Sequence, residues 1–242
     1  MTLDELADAL FAPGHALGTD AHGVVGGQAT TRAGRRVGVV GIAEGKPVGV
    51  DAAIGLSEHV LGHVARGDGL PLVVLVDTQS QAMARRDELL GLNEYLAHLT
   101  KSLALASLTG HRTIGILYGH AAAGAFIATA LSTEVLVAVP GAEPSVMDLP
   151  SIARVTKLPL EQLQRMAAST PIFAPGLEHL STTGAVGETW QDPASFATRL
   201  DALISAERPV GDTRDRLGAA RRNRLQAAGI ARAVMDAAAA RD

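Results

Sequence analysis

Cysteine is absent from the 242 residues, which excludes disulfides, thiolate nucleophiles and thiolate metal sites together. Aromatic side chains are scarce: one Trp, two Tyr and four Phe make up 3% of the chain. The core must therefore come from Ala, Val, Leu and Ile, and 26 glycines imply close element packing and many tight turns. No apolar run approaches the roughly 20 residues that cross a bilayer. The start, Met-Thr-Leu-Asp-Glu-Leu, carries acids where a secretion signal carries basic residues. A soluble, cytoplasmic chain without a membrane partner is expected.

Charge is unevenly placed. Residues 214–242 hold seven Arg and three Asp, whereas the first 213 residues hold 14 basic and 22 acidic groups. A basic tail on an acidic body suits a phosphate-bearing ligand, an acidic partner or simply solvent, while the acidic body repels nucleic acid.

The pattern along the chain alternates strand and helix. Leu3–Leu10 reads as a short amphipathic helix and 13–27 as a Gly- and His-rich loop. Val37–Ile42 reads as a strand, with Pro47–Val50 as its hairpin partner or continuation. Helical spacing runs from Leu56 to Arg66, and Leu72–Asp77 is the continuous apolar run of a central parallel strand. A long helix is expected from Met83 to Ser107, then strands at 113–118 and 134–139 with a short helix, 124–131, between them. The C-terminal third reads as helices at 151–168, 176–182, 193–206 and 214–239. Repeated strand–helix–strand order implies right-handed crossovers and a parallel sheet, so the fold class is α/β, with one domain spanning 1–242 and a helical extension from about 193.

The most informative stretch is Gly119-His120-Ala121-Ala122-Ala123-Gly124-Ala125-Phe126. Six of its eight residues are Gly or Ala, so nothing larger than a methyl shields the backbone at 121–124. A bare helix start presents unpaired N–H groups to an anionic oxygen, the construction of an oxyanion hole for a thioester or other carbonyl. The amides of Ala123, Gly124 and Ala125 are the candidate donors, and the same stretch also suits tight packing alone. Residues 121–125 contain no serine, which disfavours a serine peptidase.

Two further patterns fit their chemistry poorly. Glu58-His59-Val-Leu-Gly-His63 puts two histidines at i and i+4, but the Glu precedes the first His and no third ligand is evident, so no metal is expected. Gly38, Gly41 and Gly45 are spaced unlike the dinucleotide fingerprint, and neither Tyr has a Lys four residues later, which disfavours a nicotinamide oxidoreductase.

Taken in order, Pro71-Leu-Val-Val-Leu-Val-Asp77-Thr78, a long helix, a strand, the small-residue helix start and Val135–Ala142 resemble a carboxyltransferase half-domain of the ClpP/crotonase superfamily. Within that group, the 119–126 stretch, the small size and Ser145-Val-Met-Asp-Leu-Pro150 most resemble the malonate decarboxylase γ subunits. The resemblance covers about residues 35–190. Two departures stand out. Gln79-Ser80 replaces the Pro-Gly that follows Asp-Thr in the carboxylases, and Ala123-Gly124 or Gly124-Ala125 replaces their Gly-Gly pair.

The resemblance implies a crotonase-like ββα fold and decarboxylation of a malonyl thioester, carried on an acyl-carrier protein, to the acetyl thioester and CO2. It implies a homologous carboxyltransferase-like β subunit, an acyl-carrier subunit and an acyl-carrier transferase as partners. No cofactor is expected on this chain; the CoA-type prosthetic group belongs to the carrier, and the biotin-independent form of the reaction is expected. The alternatives are a carboxyltransferase subunit of a biotin-dependent acyl-CoA carboxylase and a non-catalytic scaffold that completes its partner's pocket. The carbanion needs a proton, for which His120, Tyr118, Asp77 and Glu143 are candidates, His120 foremost because it sits inside the stretch and imidazole is the commonest general acid–base group. In the tail, Leu217, Leu225, Ala228, Ala231 and Met235 fall on one stripe, leaving Arg221, Arg222 and Arg224 to hold prosthetic-group phosphates or to dock on an acidic partner.

Overall fold

The computed structural model describes residues 1–147, 149–169, 176–223 and 225–240. Helix α1 (Leu3–Leu10) is started by a reciprocal cap, in which the Glu5 amide donates to the Thr2 hydroxyl and the Thr2 amide to the Glu5 carboxylate. The expected loop 13–27 is instead mostly a hairpin: β1 (Ala16–Thr19) pairs antiparallel with β2 (Val24–Thr30), which pairs with β3 (Arg36–Gly45). Its turn is built by Asp20, whose carboxylate accepts from the amides of His22 and Val24. Pro47–Val50 is not a hairpin partner, because Val50 already begins helix α2 (Val50–Ala65), six residues before the expected start.

The parallel part of the sheet follows the sequence pattern closely. After β4 (Leu72–Thr78), the expected long helix divides into α3 (Arg85–Leu89) and α4 (Leu92–Leu108), split where Gly91 takes φ +77°. Next come β5 (Thr113–Leu117), a three-residue strand β6 (His120–Ala122), helix α5 (Ala123–Ala128), β7 (Val135–Ala138) and β8 (Glu143–Ser145). The C-terminal region comprises α6 (Leu149–Thr156), α7 (Leu160–Ser169), α8 (Leu177–Thr182), the two-residue β9 (Glu188–Thr189), α9 (Phe196–Ser205), α10 (Arg214–Ala220) and α11 (Ala227–Ala239). The helix expected over 151–168 breaks between α6 and α7, where Lys157 has φ +61° and Pro159 follows. The helix expected over 214–239 breaks between α10 and α11, around Arg222 at φ +63°.

One seven-stranded sheet runs in the order β1-β2-β3-β4-β5-β7-β9, parallel from β3 onward, and β6 pairs with β8 in a separate parallel ribbon. Period-two alternation sends side chains to two cores. Val40, Ile42, Val74, Val76 and Leu136 meet Leu56 and Val60 of α2 and Leu99 and Leu103 of α4 on one face. On the other, Val37, Val39, Val73, Leu75, Ile114 and Ile116 meet α1, Trp190 and Phe196 and Leu200 of α9. Strands buried on both faces explain the continuous apolar runs. Helix α11, by contrast, is exposed throughout: Ile230, Val234 and Met235 are 59%, 64% and 71% exposed. Among the described residues no helix is long and apolar enough to cross a membrane.

Candidate active site

The parallel strands β3, β4 and β5 end together, and Asp77 near the end of β4 ties the neighbouring chain segments to that edge. Its Oδ2 accepts from the Gly45 amide and its Oδ1 from the His120 amide, each at 3.1 Å. The intervening Gly119 has to be glycine: a Cβ there would stand 2.1 Å from Asp77 Oδ1. This clamp sets the path of β6. The ribbon pairs His120 with Glu143, Ala121 with Pro144 and Ala122 with Ser145.

Helix α5 starts directly from that ribbon. Ala122 is extended (φ −132°, ψ 155°), and Ala123 takes φ +51°, an uncommon conformation for a residue with a Cβ. A left-handed residue followed by a helical one turns successive N–H groups toward a common point, the concave arrangement that receives anions. Phe126, wholly buried, anchors the turn from below. The three candidate donors are not equivalent. The Gly124 amide donates to Gln81 Oε1 at 2.9 Å, so a side-chain carbonyl oxygen already sits on it. Ala123 and Gly124 are half-buried, whereas Ala125 is wholly buried.

A cavity of about 640 Å³ opens beside this turn, lined by Gln79, His120, Ala121, Ala122, Ala142, Glu143, Pro144, Ser145, Gly176 and Leu177. His120 Nδ1 lies 3.1 Å from Glu143 Oε2, with both side chains exposed. Of the four candidate proton sources, the structure brings these two together on the cavity wall. Asp77 is engaged by two amides. Tyr118 is buried, its hydroxyl lacks a hydrogen-bond partner among the described residues, and burial pushes its ionisation far above the ordinary range. A larger cavity, about 850 Å³, lies between α2 and α4 away from this turn, and its lining is mostly apolar.

Within the arginine set, the two described members are placed differently. The Arg221 guanidinium donates to the carbonyls of Ser181, Val186 and Gly187, fastening the end of α10 to the segment before β9, so it does not stand free for a phosphate. Arg222 is exposed, and Arg224 lies outside the described residues.

The two histidines of α2 also part company. His59 packs over Gly26 and His63 over Gly38; Cβ atoms at those glycines would come within 2.3 and 2.4 Å of the rings. His63 instead meets His111 edge-to-face at 4.7 Å, and with Asp68 their ligand-type atoms lie within 4.8 Å of one another. Each ring turns a nitrogen to the Leu70 carbonyl, and the Arg66 guanidinium donates to His63 Nδ1. A ring that accepts from arginine and donates to a carbonyl is neutral with both nitrogens occupied, and burial, the main cause, holds His63 below the ordinary imidazole value.

Sequence reasoning missed Gln81 and the clamping role of Asp77. The one available signal was the Asp77-Thr78 pair that ends β4, whose side-chain geometry no sequence pattern discloses.

A parallel sheet carrying a β-ribbon that feeds a small-residue helix start is the carboxyltransferase form of the crotonase fold. The β subunit of geranyl-CoA carboxylase from P. aeruginosa shares that fold at a TM-score of 0.65 and 16% identity, covering 88% of this chain and 43% of that one. The sequence profile described as malonate decarboxylase gamma subunit matches residues 43–238, and the chain belongs to that family. It is similar to a chain of a Pseudomonas malonate decarboxylase hetero-tetramer in complex with coenzyme A, with TM-score 0.82, 25% identity, and coverage of 96% of this chain and 97% of that one. The corresponding values for a Pseudomonas MdcD–MdcE hetero-dimer are 0.72, 26%, 90% and 96%. Malonyl-S-ACP:biotin-protein carboxyltransferase MADD of Malonomonas rubra is 27% identical over 156 residues, 62% of this chain and 52% of that protein. The chain thus spans about half the length of this curated relative.

Proposed function

We propose that this chain is the γ-type subunit of a malonate decarboxylase and supplies part of the site where a malonyl thioester, carried on an acyl-carrier protein, loses CO2. The observation that carries the reading is the left-handed turn at Ala123, which opens a Gly/Ala helix start beside the cavity in a chain of this family. Cleavage of the bond to the carboxyl carbon sends its electron pair toward the thioester oxygen. Amides at Ala123 and Gly124, with Ala125 behind them, meet the growing charge, and the oxygen takes the place that Gln81 Oε1 now occupies. Such a donor strengthens in the transition state and is typically worth about 3–4 kcal/mol. His120, on the cavity wall, returns the proton.

The partners are a homologous β-type subunit, as in the MdcD–MdcE hetero-dimer, together with an acyl-carrier protein and the transferase that loads it. Helix α11, with its apolar side chains exposed on this chain, supports assembly with another subunit. The CoA-type group resides on the carrier, the setting is cytoplasmic, and CO2 is released without biotin. Because MADD is named as a biotin-protein carboxyltransferase, avidin is the deciding reagent: inhibition of the purified complex by avidin moves the chemistry to carboxyl transfer.

The test of the site is Gly124→Val. A Cβ at Gly124 would lie 3.3 Å from both Gln81 Oε1 and Leu96 Cδ1, so the branched side chain crowds the donor turn. Turnover by the reconstituted complex should fall at least about 100-fold, with co-elution with the partner subunit unchanged. Retained turnover would favour the scaffold reading, in which this chain only completes its partner's pocket.

A further inference from the structure

His120 is held from two sides. Its backbone amide donates to Asp77 Oδ1 from β4, and its ring nitrogen Nδ1 faces Glu143 Oε2 from β8 at 3.1 Å. The two residues are direct partners in the β6/β8 register, so the ribbon itself sets their approach. Both line the cavity beside Ala122. We propose that Glu143 is the positioning residue that makes His120 a directed proton donor to the carbanion, an inference that rests on the decarboxylation proposed above.

A carboxylate accepts hydrogen bonds and donates none, so Glu143 Oε2, 3.1 Å from Nδ1, favours a ring that carries a proton on Nδ1. Nε2 is then the atom through which protons enter and leave. An imidazole oriented by a carboxylate on its other nitrogen is the arrangement that general acid–base chemistry needs. After CO2 departs, the electron pair of the broken bond is shared between the α-carbon and the thioester oxygen. The Nε2–H bond of the imidazolium breaks, its proton forms the new C–H bond at the α-carbon, and the electron pair stays on Nε2. The ring is left neutral with Nδ1–H on Glu143. With 61% of its side chain exposed, His120 regains a proton from solvent. Malonyl thioester carboxylate and one proton become acetyl thioester and CO2, so the step balances.

The test compares wild type, Glu143→Ala, Glu143→Gln and His120→Ala in the complex with the partner subunit. Glu143→Ala should lower kcat about tenfold, the loss of one charge-assisted contact, with KM unchanged. Glu143→Gln, whose carbonyl still accepts from Nδ1, should recover part of it. Stereospecifically labelled malonyl thioester in D2O should give acetyl product of one handedness with wild type and a racemised methyl with Glu143→Ala and His120→Ala. A merely structural role does not move that readout. Unchanged kcat and handedness in Glu143→Ala, or a rise in KM alone, overturns the proposal. A second measurement is independent of turnover: ¹⁵N shifts of the neutral His120 ring on the full chain should report the Nδ1–H tautomer in wild type and the Nε2–H tautomer in Glu143→Ala. The same tautomer in both overturns the positioning role, whereas an inactive wild-type complex with the expected tautomer shift overturns the decarboxylase reading alone.

Discussion

Replacing Gly119 by Ala removes no interaction of its own, yet it should be among the more damaging single-methyl changes in this chain. The added Cβ would stand 2.1 Å from Asp77 Oδ1, 2.4 Å from Cγ and 2.8 Å from Cβ, so the carboxylate has to leave. Leaving breaks its bonds from the Gly45 and His120 amides. Hydrogen bonds to a charged group contribute about 1.5–3 kcal/mol each. At 3.1 Å and partial exposure the lower figure applies, so a loss of about 3 kcal/mol is expected for the pair. Urea unfolding followed by fluorescence of Trp190, the sole tryptophan and wholly buried, measures it directly. Asp77→Ala should cost a similar amount. The double variant should be no worse than Asp77→Ala alone, because the clash disappears with the carboxylate. A Gly119→Ala variant within about 0.5 kcal/mol of wild type, or a double variant with additive losses, would refute the clamp.

Three other outcomes follow from the geometry. Ala123→Gly should stabilise the fold by up to about 1 kcal/mol, opposite to the usual sign for a helix residue, because φ +51° suits glycine; chemical denaturation decides, and a clear loss would contradict the left-handed turn. Arg221→Ala should cost about 2–4 kcal/mol, since three carbonyls lose a shared donor, and Arg221→Lys should recover less than half of that because an ammonium cannot span them. Finally, His63 is neutral in the fold, its value held down chiefly by burial. The unfolded ring takes up a proton near pH 6.5 while the folded ring does not, so the unfolded state gains as pH falls through that value and stability should drop between about pH 7 and 5. Melting temperatures of wild type and His63→Gln across that range test this, the variant giving the shallower slope.

Which parts of this were readable beforehand follows from where each signal is stored. Strands β4, β5 and β7 announced themselves because they are buried on both faces, so apolar residues run without interruption. The β1–β2 hairpin did not, because Gly26 and Gly27 remove side chains from β2: a Cβ at Gly26 would strike the His59 ring, and one at Gly27 would strike the Ala16 carbonyl. What fills that face of the strand comes from α2, about thirty residues later. The helix breaks at Gly91, Lys157 and Arg222 are single left-handed residues, only one of them a glycine, and two of the three carry side chains that give no such warning. In the site, the bare Gly/Ala run was legible as a helix start with an unshielded backbone. The long-range contacts were not: Gln81 reaches Gly124 across 43 residues, and Glu143 meets His120 only because β6 and β8 pair. Among the tail arginines, the contacts of Arg221 were hidden for the same reason. Its charge is visible in the sequence, but the three carbonyls that occupy it are a product of the fold.

The most direct test of the central claim is the product balance of the complex reconstituted from this chain, its β-type partner and malonyl-loaded carrier protein, followed with carboxyl-¹³C-labelled malonyl groups. One ¹³CO2 released and one acetyl-carrier formed per malonyl group consumed, unaffected by avidin and abolished by Gly124→Val, is the result this account predicts. An intact malonyl-carrier, or ¹³C that passes to biotin and is blocked by avidin, would contradict it.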